Sequence, residues 1–294
     1  NQYWKYSIEV SNRPHVTNVY PLAVNPGTPT SLKMIGFQLP GQAATFNKMV
    51  GEVGFGAQWV LLELGGELSN PVPVVVTDQP LVQELEADNG SLEMAQSVAI
   101  PGGINGRIET QADIDYFVFE AKKDQQLTID VVARRHQSML DSHLRVLSSD
   151  GKQLAISDDF KVGKRNYADS RVENWKVPAD GKYLVEIRDL HLRGGDEFVY
   201  FIDITLAKPH FFLAADTDKT QLSPGTSGVM FVRIERKNGF AGEVQLQAEG
   251  MGEGITASCG RILEGRNDGC IIFQAAPDAP MQLGNVRISG TGMI

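Results

Sequence analysis

Apolar and polar residues alternate along most of this chain, at a spacing of two rather than three or four. "YFVFEA" at 116–121 sets Tyr116 and Val118 on one face and Phe117 and Phe119 on the other. "GKYLVEI" at 181–187 alternates Tyr183, Val185 and Ile187 after an Asp-Gly turn. The same pattern recurs in "LTIDVVAR", "LRVLSSDGKQLAIS", "EFVYFIDITL", "SGVMFVRIER", "GEVQLQAEG" and "CIIFQAA". Runs of four to eight residues bounded by Gly, Asp, Asn and Pro predict short antiparallel strands, and hence sandwiches or barrels. Helix signals are scarce. "QPLVQELEADNGSLEMAQSV" is the best candidate. It is broken at Asn89-Gly90, leaving one predicted helical turn around Leu92–Gln96.

The fold class expected is therefore all-β, as tandem antiparallel sandwiches. Residues 1–13 hold "YWKYSIEV" and read as the terminal strand of a preceding domain cut off here. Residues 14–78 form a small sandwich. Residues 79–207 are an acidic connector followed by a larger sandwich, and residues 208–294 a third. "YSIEVSNRPHV" at 6–16 and "FIDITLAKPHF" at 201–211 echo one another, as if one domain junction occurs twice. Trp59, Trp175 and the 116–119 aromatics are expected in cores. "KVGKRNYADSR" at 161–171 is expected as a solvated basic loop.

The chain has 294 residues, 42% of them hydrophobic, with net charge −9 and a pI near 5.1. That size supports two or three domains. The acidity argues against nucleic-acid partners, which want a basic face. No run of apolar residues is long enough to span a membrane. The sequence lacks a nucleophile elbow, H-E-x-x-H, C-x-x-C, P-loop and dinucleotide fingerprint. The five histidines (His15, His136, His143, His191 and His210) show no ligand spacing. No catalytic residue is assigned.

The carboxylates carry the remaining chemistry. "QELEADNG" gathers Glu84, Glu86, Asp88 and Asn89, and "QADIDYF" places Asp113 and Asp115 at a strand start among positions read as solvent-facing. Such groups serve as solvated turn acids, as oxygen ligands for calcium, or as a catalytic pair across a cleft. A second set, Asp141, Asp158, Asp159 and Asp169, is a weaker cation candidate. Cys259 and Cys270 flank "GRILEGRNDG", and on two arms of a hairpin they reach disulfide distance; two free thiols is the alternative.

"NGRIETQADIDYFVFEAKKDQQLTIDVVA", "LDSHLRVLSSDGKQLAISDD" and "PADGKYLVEIRD" together resemble the bacterial pre-peptidase C-terminal (PPC) domain, in the form carried by planctomycete-type exported proteins, over about 80–207. That resemblance implies a jelly-roll-like sandwich without catalytic activity. In relatives such as the collagen-binding domains of clostridial collagenases, calcium ties the connector to the sandwich. By position, Glu84, Glu86, Asp88 and Asn89 resemble the connector ligands, with Asp113 and Asp115 at the strand start; "ADNGSLEMA" departs from the closest calcium-binding forms. "RPHVTNVYPLAVNPGTPTSLKMIGFQLPG" resembles the start of an IPT/TIG immunoglobulin-like domain over 14–78, and 208–294 bears a weaker immunoglobulin-like resemblance.

These readings imply a non-catalytic spacer or docking array of a larger exported protein, extracellular, on the cell surface or periplasmic. Calcium is the one cofactor expected. Its partners would be neighbouring domains of the same polypeptide and an extracellular protein or polysaccharide. The alternatives are a calcium-dependent carbohydrate- or protein-binding module, and a hydrolase with an unrecognised site.

Overall fold

A computed structural model describes residues 14–85, 89–162, 165–217 and 219–293. The strand expected within residues 1–13, and with it half of the repeated junction, lies outside the described residues. The chain divides after Ala207 into two compact units.

The first unit begins with β1 (His15–Tyr20), β2 (Ala23–Val24), β3 (Thr30–Phe37), β4 (Ala43–Phe46), a four-residue helix α1 (Val50–Val53), β5 (Gly56–Val60), β6 (Glu63–Leu64), β7 (Glu67–Leu68) and β8 (Val72–Val76). Two three-stranded sheets result, ordered β1-β3-β4 and β2-β8-β5. They close on a core of Val16, Val19, Leu32, Phe46 and Val74.

The chain continues through β9 (Leu81–Gln83), β10 (Gln96–Ser97), β11 (Gly102–Arg107), β12 (Ile114–Ala121), β13 (Gln126–Val132), a 3-10 turn at Arg134–His136, β14 (Ser142–Ser148), β15 (Gln153–Ser157), β16 (Phe160–Val162), β17 (Arg165–Tyr167), β18 (Arg171–Lys176), β19 (Gly181–Asp189) and β20 (Val199–Leu206). Two five-stranded sheets, β10-β12-β19-β14-β15 and β18-β13-β20-β11-β9, face each other. Phe117, Phe119, Leu127, Ile129, Val185 and Ile202 fill the space between them. The period-two pattern dictates this arrangement, since residues that alternate inward share one buried face.

This larger sandwich carries the small one on its outer face. Leu22, Ala23 and Val75 pack on Val132 and Phe201. Asn105 closes a reciprocal pair with Ala23: Ala23 N–H donates to Asn105 Oδ1 at 2.7 Å, and Asn105 Nδ2 donates to Ala23 O at 3.0 Å. Buried backbone groups need such partners, and an inward-facing amide supplies both kinds at once.

The second unit holds β21 (His210–Ala215), β22 (Ser227–Lys237), β23 (Val244–Glu249), β24 (Ile255–Cys259), β25 (Arg261–Ile262), β26 (Asp268–Ala275) and β27 (Arg287–Gly292). Its sheets run β21-β22-β26-β24 and β25-β23-β27, around Val232, Phe240, Leu246, Ile271 and Phe273. The molecule is thus all-β, in tandem sandwiches.

Four expectations are corrected. The helical turn at Leu92–Gln96 does not form. Gln96 enters β10 and its side chain is taken by the connector, accepting from Leu85 N–H and donating to Gln83 O, both at 3.0 Å. Trp59 is not core: it is 59% exposed on β5, opposite Pro73. Residues 161–171 are not simply a solvated loop. They contribute to the β16–β17 hairpin, whose Phe160 lies under the guanidinium groups of Arg135 and Arg171 at 4.8 and 4.1 Å. Cys259 and Cys270 are free thiols. Cys259 pairs with Ile271 and faces the core, whereas Cys270 pairs with the exposed Phe231 on the opposite face. Neighbouring strands on opposite faces do not offer a bridge.

Candidate functional site

β12 starts at Ile114, so Asp115 falls in the inward series with Phe117, Phe119 and Ala121. It is 1% exposed, which overturns the solvent-facing reading for Asp115, whereas Asp113 is half-buried. One oxygen, Oδ2, accepts from the Tyr200 hydroxyl at 2.6 Å. The other, Oδ1, is buried and accepts no hydrogen bond, and the Asp115 carboxyl meets that of Glu84. Tyr200 is fully buried on β20 and stands opposite Gly106 of β11. A Cβ at position 106 would collide with the Tyr200 hydroxyl, so glycine is what lets the ring reach Asp115.

The connector supplies the second carboxylate. Leaving β9, Glu84 N–H donates to Asn105 O at 2.8 Å, continuing the parallel pairing of β9 with β11. Glu84 Oε2 accepts from Arg107 N–H, and Glu84 Oε1 from Asn89 Nδ2, both at 2.8 Å. Asn89, 7% exposed, is itself pinned because its carbonyl accepts from Tyr116 N–H at 3.1 Å. Glu109 brings the third. It follows β11 and is held by Asp113, whose Oδ2 accepts the Glu109 N–H at 2.8 Å. Ala112, at φ 64°, turns the chain between them.

Glu84, Glu109 and Asp115 thereby bring one oxygen each within 4.8 Å of one another. Among the described residues no other trio of acidic, histidine or cysteine side chains converges in this way. Of the positions singled out in sequence, Glu84, Asn89, Asp113 and Asp115 share this corner. Glu86 and Asp88 lie outside the described residues. Glu109 was not anticipated; its signal is the Thr110–Asp113 turn, which folds Asp113 back onto its backbone.

The electrostatics follow from burial and like charge. Burial, then Glu84, pushes the Asp115 carboxyl up to about 10, against the lowering effect of the Tyr200 hydrogen bond. Burial, then Glu84, raises Glu109 to about 7. Burial raises Glu84 as well, opposed by its hydrogen bonds. The Tyr200 phenol is held well above its ordinary range by burial and the neighbouring carboxyls. One cation is near: Arg107 stands 3.6 Å from Glu109, but its other amine donates to Asp196 at 2.8 Å.

The second acidic set does not assemble. Asp169 is fully buried and accepts from Arg134 N–H and from Arg135. Asp141 faces Arg134 at 4.0 Å and His191 at 3.6 Å. These are structural pairs.

The corner is defined by oxygen donors only: three converging carboxylates, one of them with a buried oxygen that accepts no hydrogen bond, on an all-β sandwich. No protein-family profile matches the chain, and no curated protein sequence matches it. Among solved structures, the chain is similar to the pre-peptidase C-terminal domain of a collagenase from Bacillus anthracis, at 12% identity and a TM-score of 0.27, over 38% of this chain and 94% of that one.

Proposed function

We propose that this chain is a non-catalytic spacer or docking segment of an exported protein, in which a calcium ion fastens the connector after β9 to the larger sandwich. The observation that carries the reading is the convergence of Glu84, Glu109 and Asp115, with Asp115 Oδ1 buried and accepting no hydrogen bond. An unpaired buried acceptor is costly, and three converging carboxylates repel one another. A hard divalent cation relieves both. Glu84, Glu109 and Asp115 would hold the ion directly, and Asn89 and Asp113 would position them. Bound there, calcium supplies cross-linking rather than chemistry. The PPC resemblance of the three segments within 80–207 supports the assignment, and with it an extracellular, cell-surface or periplasmic setting.

The hydrolase alternative finds less support. Asp115 is out of a substrate's reach, and Glu84, Glu109 and Asp115 line neither a cavity of about 580 Å³ nor one of about 470 Å³. Among the described residues no helix is long and apolar enough to cross a membrane. A second reading, a binding module, rests on Trp59 and Phe55, which are 59% and 53% exposed on the small sandwich. Exposed aromatics of this kind meet polysaccharide or protein partners. Binding to a glycan array that disappears in Trp59→Ala is its test.

The calcium reading is tested by isothermal titration of chelator-treated protein. One calcium per chain, with magnesium binding more weakly, is expected. No heat at millimolar calcium, together with no calcium by elemental analysis, sinks it.

A further inference from the structure

A cavity of about 580 Å³ opens where the small sandwich meets the larger one, well within the size range of small-ligand sites. Its walls include Gly56 and Ala57 of β5, Phe201 and Asp203 of β20, His136 and Tyr167. None of these belongs to the calcium corner.

Asp203 is the exceptional group. It stands opposite Asp130 on β13, on the sheet's outer face. Its Oδ1 is buried without a partner, and among the described residues neither carboxylate oxygen accepts a hydrogen bond. Burial, then Asp130 and Asp78, push this carboxyl up to about 6, and both charges acting on it are negative. The guanidinium groups of Arg134 and Arg135 also line the cavity, and those of Arg135 and Arg171 are engaged by hydrogen bonds. Arg135 donates to Asp130, Asp169 and the Val131 carbonyl, and Arg171 donates twice to Asp130, while Arg134 is 45% exposed and stands 4.0 Å from Asp141.

His136 lines the same cavity at 6% exposure with neither ring nitrogen in a hydrogen bond; the Val74 carbonyl approaches without meeting that geometry. Burial, then Arg135, lower its pKa, so the imidazole is neutral and does not repel a cation. A metal is not the fitting occupant, because Asp78, Asp130 and Asp203 do not converge as ligands. One unpaired carboxylate in a roomy cavity with aromatic walls fits a monovalent organic cation whose alkyl stem takes the rest of the space. β5 lies at a sheet edge, where half of its backbone groups face away from β8 and supply further acceptors.

We propose that this cavity is a binding site for a primary ammonium group, anchored by Asp203, whether from a free alkylamine or from a lysine side chain of a peptide.

The test is a titration followed by amide chemical shifts at pH 7.5, with n-butylamine, Nα-acetyl-lysine methylamide and, as neutral control, n-butanol. Saturable shifts at Ala57, His136 and Asp203 are expected with the amines. Asp203→Asn should weaken them at least tenfold. Ala57→Phe, at an exposed position, should do the same by filling the space while leaving the melting temperature unchanged. Tighter binding of the lysine derivative assigns the source to peptides, and tighter binding of n-butylamine assigns it to free amines. The proposal is overturned by no saturable binding of either amine, by n-butanol binding equally well, or by affinities unchanged in both variants.

Discussion

Replacing Asp115 by Asn should stabilise the protein in chelator and cost it the response to calcium. The carboxyl is 1% exposed and its pKa is pushed up to about 10. The folded form therefore keeps a proton that the unfolded chain gives up above its ordinary value of 3.8. With more protons bound in the folded state, stability falls as pH rises through that interval. Each pH unit costs about 1.4 kcal/mol, so this group alone removes roughly 4 kcal/mol between its ordinary value and neutrality. Glu109 and Glu84, also raised, act in the same direction. Asn retains an oxygen for the Tyr200 hydroxyl and cannot ionise.

The assay is thermal unfolding by circular dichroism at pH 5.5 and pH 8, in chelator and in calcium. In chelator the unsubstituted protein should lose on the order of 10 °C between the two pH values, given about 2–4 °C per kcal/mol for a unit of this size. Asp115→Asn should lose much less and melt higher at pH 8. With calcium the order reverses, because the ion binds only the ionised trio and stabilises by mass action. An Asp115→Asn protein that melts lower than the original in chelator, or gains equally from calcium, refutes the reasoning.

Gly106→Ala should drive Tyr200 off Asp115, lowering stability by roughly 2 kcal/mol in urea titrations and abolishing calcium binding by calorimetry. Arg145→Ala should cost about 3 kcal/mol in the same titrations, because it strands the fully buried Glu186, which now accepts from both Arg145 Nε and Nη2. Cys259 and Cys270 should both take up a thiol-reactive label under denaturing conditions without prior reductant, and reductant should leave the melting temperature unchanged. Asn105→Ala should weaken the seat of the small sandwich, exposing the Val75–Phe201 contact to proteolysis before either core opens.

The architecture was legible because burial on one face writes a period of two into the sequence. That period alone puts Phe117 and Phe119 on one face and Tyr116 and Val118 on the other, and the structure turns the first pair inward. The same count puts Asp115 on the face of Phe117 and Phe119, yet its charge argued for solvent, and residue type misled where position did not. Trp59 misled in the opposite sense: its size argued for a core, while an edge strand left it exposed. Glu109 was illegible because it joins Glu84 only through the β9–β11 pairing, a parallel contact that local pattern does not encode. The cysteines failed for a register reason. Pairing Cys259 with Ile271 rather than with Cys270 turns the two thiols to opposite faces.

β20 is the last strand of the larger sandwich in the chain, yet it lies at the centre of its sheet, between β13 and β11. In that sheet β9 with β11, and β13 with β18, are two halves that hydrogen-bond to each other only through β20. Val199–Leu206 therefore has to be present for the sheet to close on both sides. The carboxylate corner shares this dependence, since Tyr200 rides on the closing strand. A nascent chain stopped short of it would carry the acids but not the clamp, so the ability to capture an ion would report that synthesis had passed this point.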